Sequence, residues 1–158
     1  MSFNPDGRPR ITGDLNVYYN ASVSSYTTNA PVTWSNLDTN FSNNFSLTKN
    51  GAQFTLPNDG KTYILEAFVM ATGLGVYTTF QWYDITNSTY VGIIGKVAGG
   101  YNKDEGRLGD VVADEKAIFV TNQNNTYELR LKHAGTSNVD YASPGLYYSK
   151  PRCCIWRL

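Results

Sequence analysis

A chain of 158 residues fits one domain with a sizeable core, and 13 Lys+Arg against 13 Asp+Glu leave no net charge to favour nucleic acid or an anionic membrane surface as partner. Charged residues supply only 16% of the chain, and Asn, Ser, Thr, 12 Tyr and 14 Gly take their place, a weakly charged polar surface that suits extracellular or virion-exposed domains. No apolar run nears the roughly 20 residues of a membrane helix, and the opening Met-Ser-Phe-Asn-Pro-Asp-Gly-Arg-Pro-Arg reads as a linker over 1–10, without the apolar core of a signal peptide, before one domain over 11–158.

In chain order, Ile11 to Tyr19 alternates as an early strand, 20–29 is polar loop, and Ala30 to Trp34 is a short strand that Pro31 confines to an edge or a strand start. Phe45 to Thr48 and Ala52 to Leu56 flank Asn50-Gly51, a strong two-residue hairpin signal. Leu56-Pro57-Asn58-Asp59-Gly60 is turn chemistry: Pro presets φ, Asn and Asp bond their own backbone, and Gly accepts positive φ. Thr62 to Ala71 follows as the most apolar run. Its Tyr63, Leu65, Ala67, Val69 and Ala71 take one face and Thr62, Ile64, Glu66, Phe68 and Met70 the other, so both faces are expected to be covered. Val76 to Ile85 and Thr89 to Val97 are strands joined at Asn87-Ser88. The Gly-punctuated 99–110 reads as the longest loop. Ala117 to Thr121 precedes a turn at 122–125, and Thr126 to His133 sets Tyr127, Leu129, Leu131 and His133 against a polar face of Thr126, Glu128, Arg130 and Lys132. A loop over 134–145 leads to Leu146 to Leu158, again apolar on both faces: Tyr148, Cys154, Trp156 and Leu158 against Tyr147, Cys153 and Ile155. Many short strands with turns about every ten residues and no helical period predict an all-β sandwich or barrel.

Two strands apolar on both faces beside one with a wet face point to a sandwich with one doubly covered sheet, whose extra cover is most simply further copies of the chain. The series FSLTKNGAQFTLPNDGKTYILEAFV, AIFVTNQNNTYELRLKH and YYSKPRCCIWRL resembles the tumour-necrosis-factor/complement-globular-head family. The Phe-x-x-Pro-x-x-Gly-x-Tyr element of that family is matched by Phe54, Pro57, Gly60 and, after one extra residue, Tyr63. The resemblance spans Ala30 to Leu158, more in strand order and spacing than in identity. It implies a TNF-like jelly roll of about ten strands in two sheets, forming a homotrimer. The 62–71 and 146–158 strands would lie in the inner, axis-facing sheet and 126–133 in the outer one. Glu66, Phe68, Met70, Tyr148, Arg152, Cys154 and Trp156 then form the trimer interface, with Arg152 or Arg157 expected as the partner of Glu66.

The signs of chemistry are few. His133, the one histidine, ends the alternating strand on its apolar side and reads as packed against the core or its rim; no paired Cys/His spacing for zinc and no phosphate-cradling loop occur. Asp104-Glu105 and Asp114-Glu115 read as solvated carboxylates rather than a glycosidase pair. The 102–110 loop lacks the ligand spacing of a calcium loop. Cys153 and Cys154 read as free buried thiols, since a ring between neighbours is strained. Sequons stand at Asn20, Asn40, Asn44, Asn87 and Asn124. No catalytic residue, metal or cofactor is assigned. The expectation is a non-enzymatic trimeric head on a virion surface (spike, fibre or capsid decoration) for host attachment. Its partners would be a host receptor or glycan and a virion stalk or capsid protein. Tyr101, Asn102, Lys103, Asp104 and Arg107, with Ser137, Asn138, Asp140 and Tyr141, are the candidate receptor-binding residues. A secreted complement-head-like module and a jelly-roll carbohydrate-active enzyme are the rival readings.

Overall fold

Alternation of apolar and polar residues governs the strands of the computed structural model, which describes residues 2–3, 9–10, 13–19, 29–40, 42, 45–68, 76–102, 107–133 and 152–158. Among these there is no helix. The strands are β1 (Ser2–Phe3), β2 (Pro9–Arg10), β3 (Asp14–Tyr19), β4 (Asn36–Leu37), β5 (Thr48–Asn50), β6 (Gln53–Thr55), β7 (Tyr63–Phe68), β8 (Val76–Asp84), β9 (Thr89–Asn102), β10 (Arg107–Glu115), β11 (Ala117–Thr121), β12 (Thr126–His133) and β13 (Arg152–Arg157). β1 and β2 pair within the segment expected to be linker.

Ten strands follow one antiparallel path, β4-β3-β13-β7-β11-β9-β8-β12-β6-β5, with β10 added to β9. The path curls so that one half (β4, β3, β13, β7, β11) faces the other (β9, β8, β12, β6, β5). Tyr18 of β3 lies 4.9 Å from the Phe54 ring of β6, and Phe119 of β11 lies 5.3 Å from Tyr127 of β12. Between the halves the core holds Trp34, Trp82, Tyr63, Phe80, Leu65, Leu129, Leu131 and Ile155, all at or near zero exposure. Strands therefore alternate between halves along the chain: β3 and β7 in one, β6 and β8 in the other, β11 back in the first, β12 in the second, β13 in the first.

The halves join where β9 meets β11 at Ile93 and Ile118. Gly92 has φ +75°, and an added Cβ would stand 2.4 Å from the Ile118 carbonyl oxygen. At Gly95 a Cβ would meet the Phe80 ring at 2.3 Å and the Ala117 nitrogen at 2.7 Å. These two positions need glycine because backbone and ring pass so close. Trp82 Nε1 donates to the Ala117 carbonyl at 3.3 Å across the same corner.

Several expectations shift. The expected loop over 99–110 is strand where it is described: Gly99–Asn102 belongs to β9 and Arg107–Asp110 to β10, with Tyr101 opposite Leu108 and Asn102 opposite Arg107, while 103–106 lie outside the described residues. Glycine frequency concealed two strands that satisfy each other's backbone. The first hairpin turns one residue later than expected, since Asn50 pairs with Gln53 and the bend is Gly51-Ala52, Gly51 at φ +60°. Ala30 to Trp34 forms no full strand. Pro31 makes a single bridge to Arg130 while Val32 and Trp34 fill the core. Parts of the 62–71 and 146–158 strands, namely 69–71 and 146–151, lie outside the described residues.

Candidate functional site

Facing away from the core, β3, β13, β7 and β11 carry two apolar rows set by register. Leu15, Trp156, Ile64 and Val120 stand side by side in one row, and Val17, Cys154, Glu66, Ile118 and Ile93 in the next. Ile93 is 65% exposed, Val120 56% and neighbouring Leu158 40%. Val17 is buried, and the other members of the rows are half-buried; a contiguous apolar band that runs across several strands and is partly open to solvent marks an interaction surface more than scattered single residues would. Glu66 is the one acid in these rows. Within the chain its partner is Lys116, which precedes β11, Nζ to Oε2 3.9 Å, rather than Arg152 or Arg157. Lys116 stands just before Ala117, which pairs with Ala67, whereas Arg157 is engaged elsewhere.

Arg157 bridges Asp14 at 3.2 Å and Asp59 at 3.7 Å. Asp59 in turn accepts from the Tyr63 hydroxyl at 2.9 Å and from the Lys61 N–H at 3.1 Å. Desolvation alone would raise its carboxyl, but these donors and the Arg157 guanidinium hold it below the usual carboxylate range. This latch fastens the Asn58–Gly60 turn to β3 and β13.

The other outward face, over β12, β8 and β9, is covered by its own side chains. Glu128 was expected on a wet face, yet it is only 3% exposed. It accepts from Gln53 Nε2 at 3.3 Å and pairs with Arg130. The Arg130 guanidinium lies 3.6 Å over the Tyr83 ring, Tyr83 meets Tyr90 edge-on at 5.0 Å, and Lys132 Nζ stands 5.0 Å over Tyr90. Lys132 also donates to Gln81 Oε1 at 3.3 Å, and the Tyr90 hydroxyl donates to Asn29 Oδ1 at 3.1 Å. These aromatic and cationic groups mostly satisfy one another.

Of the expected receptor-binding residues, Tyr101, Asn102 and Arg107 occupy paired backbone positions at the end of the β9–β10 hairpin. Lys103, Asp104, Ser137, Asn138, Asp140 and Tyr141 lie outside the described residues. Of the expected interface residues, Glu66, Cys154 and Trp156 share the two apolar rows, Arg152 flanks them in register with Phe68, and Met70 and Tyr148 lie outside the described residues. Cys153 and Cys154 are both free thiols. Burial pushes both up, with Cys154 and Glu66 adding to the effect on Cys153, so neither is a poised nucleophile. Among the described residues no group of three or more His, Cys, Asp or Glu is placed to hold a metal. Ile93 and Ile118 were not among the expected interface residues. Their alternation within β9 and β11 was the only signal, and the bulge at Gly92 obscured it.

No model of a known protein family matches the chain, and no curated protein is similar to it.

Proposed function

We propose that this chain is a non-enzymatic recognition head of the tumour-necrosis-factor/complement-head jelly-roll type. It would work as a homotrimer on a virion surface and attach the particle to a host receptor or glycan. The observation that carries this reading is the outward apolar band of half-buried Leu15, Trp156, Ile64 and Ile118 with exposed Val120, on the sheet half that contains β7 and β13, continued by exposed Ile93 of β9. Further support comes from the strand order, with β3, β13, β7 and β11 in one half and β6, β12, β8 and β9 in the other, since strands that alternate between halves in this way suit a jelly roll. The virion placement rests on the weakly charged, Asn/Thr/Tyr-rich surface and stays within the class of binding proteins. Three weak sites on one trimer would gain avidity on a repetitive host surface.

Packing the band against two further copies removes the remaining exposed area of Trp156, Ile64, Val120 and Ile93 from water, at about 25 cal/mol per Å². Sedimentation equilibrium at micromolar concentration tests the assembly: three chain masses are expected, and a single chain mass overturns it. A glycan array with the same trimer tests attachment.

A further inference from the structure

A cleft of about 310 Å³ opens between the end of β3, the start of β13 and the turn after β4, lined by Tyr19, Asp38, Asn40 and Arg152. We propose that it is a subsite for one neutral sugar ring, a proposal that rests on the attachment reading above for its class of ligand. Its volume falls at the low end of the roughly 300–1,000 Å³ of small-molecule sites, room for a single ring rather than an extended ligand.

The cleft is held in shape from below. Asp38 N–H donates to the Val17 carbonyl at 2.7 Å, and the Ser42 hydroxyl donates to the Asp38 carbonyl at 2.6 Å. Ser42 Oγ itself accepts from Val17 N–H at 2.9 Å, and Asn40 N–H donates to Asp38 Oδ1 at 3.2 Å. The turn is thereby clamped to β3, and Asp38 Oδ2 takes no hydrogen bond from a described residue. On the opposite wall, β13 sets Arg152 directly across from Tyr19 in the ladder. Asp38 and Arg152 make no ion pair with each other.

This donor and acceptor set selects its ligand by chemistry. An anion meets the Asp38 carboxylate, a cation meets the Arg152 guanidinium, and an apolar molecule leaves both without partners. Adjacent ring hydroxyls satisfy both: one donates to Asp38 while its neighbour accepts from Arg152 and the Asn40 amide, with Tyr19 supplying an aromatic wall. The cleft borders the apolar band, because Arg152 precedes Cys154 by two residues on the same outward face of β13.

Saturation-transfer NMR of the full chain with the methyl glycosides of galactose, glucose, mannose and N-acetylglucosamine, and with sialic acid, tests the proposal. Sugars are used at about 5 mM, above the millimolar dissociation constant expected of one shallow site. A neutral glycoside is expected to receive saturation, with the signal cut about fivefold or more by Arg152→Met and by Asp38→Asn and unchanged by Lys132→Ala on the far face. Asp38→Asn keeps the Oδ1 acceptor of the turn, and unchanged melting of each variant separates lost binding from lost fold. Transfer to no sugar, to sialic acid alone, or equally in wild type and both cleft variants overturns the proposal. Sedimentation of the same samples separates it from the assembly reading: a monomer that binds sugar retains the cleft and removes the trimer, and a trimer that binds none does the reverse.

Discussion

The two outward faces of the curled sheet are built by the same alternation and solve the same problem differently. Over β12 and β8, the residues that point away from the core are long and mixed in chemistry, and they cover one another: Arg130 on Tyr83, Lys132 on Tyr90, Gln53 and Arg130 on Glu128. Over β13, β7 and β11 they are half-buried Trp156, Ile64 and Ile118 and exposed Val120, which have nothing of that kind to offer each other and leave an apolar band partly in water. A sheet face can finish its own surface with snorkelling cations and ring stacking. One made of branched aliphatics and an indole can be finished only by another molecule.

The corner that keeps these faces apart is the first place to break the contrast. Gly92→Ala places a Cβ against the Ile118 carbonyl and in a positive-φ backbone, and is expected to cost about 3 kcal/mol in urea unfolding. An unchanged midpoint would contradict the close approach of β9 to β11. Next in size, Trp156→Asp is expected to weaken self-association by about 100-fold or more with the monomer still folded, whereas Glu128→Ala leaves the sedimenting mass unchanged. Equal effects on mass would show that the faces do not differ as described. Arg130→Ala removes the partner of a buried carboxylate and the cover of Tyr83. A loss of about 2 kcal/mol is expected, with Glu128→Gln in the same background restoring part of it because the neutral amide needs no counter-charge.

The smallest effect is a pH dependence at the core's edge. Burial would raise the Asp84 carboxyl, but the side-chain amides of Asn125 and Asn87 and the backbone N–H groups of Asn87 and Thr86 outweigh it and hold it below its ordinary value. Its folded value being depressed, the stability it contributes is fully present above its unfolded value near pH 4 and is lost as pH falls through the folded one. Asn125→Ala should flatten the acid limb of a melting-temperature profile below about pH 4 and leave the neutral limb in parallel with wild type. An unchanged acid limb would remove Asp84 from the account.

Much of the fold was legible because period-two patterning is a direct record of which side is dry. β11 and β12 match their expected bounds, and the facial split of Cys153 and Ile155 against Cys154 and Trp156 is the one observed. The misreadings share a cause: a residue's local preference yielded to a partner distant in sequence. Gly99, Gly100 and Gly109 suggested loop, yet β9 and β10 pair there, Gly99 opposite Val111 and Tyr101 opposite Leu108, with a register shift between them. Glu128 suggested solvent, yet Gln53 lies 75 residues away in the chain and within bonding distance of it. Of the candidate sites, the interface stripe could be read from Trp156 and Cys154. The cleft at Tyr19, Asp38, Asn40 and Arg152 could not, since three separate segments meet to form it and no motif links them.

β13 lies between β3 and β7, although it is the last strand in chain order. During synthesis, then, β3 and β4 have no neighbour to join them to β7 until the final strand has emerged. The half-sheet cannot close from its N-terminal end, and Trp156 joins Leu15 to Ile64 only then, whereas Ile64, Val120, Ile118 and Ile93 already stand together on β7, β11 and β9. Until β13 inserts, β3 and β7 each present an unpaired edge, so the last strand to arrive is also the one that removes two templates for pairing with another chain.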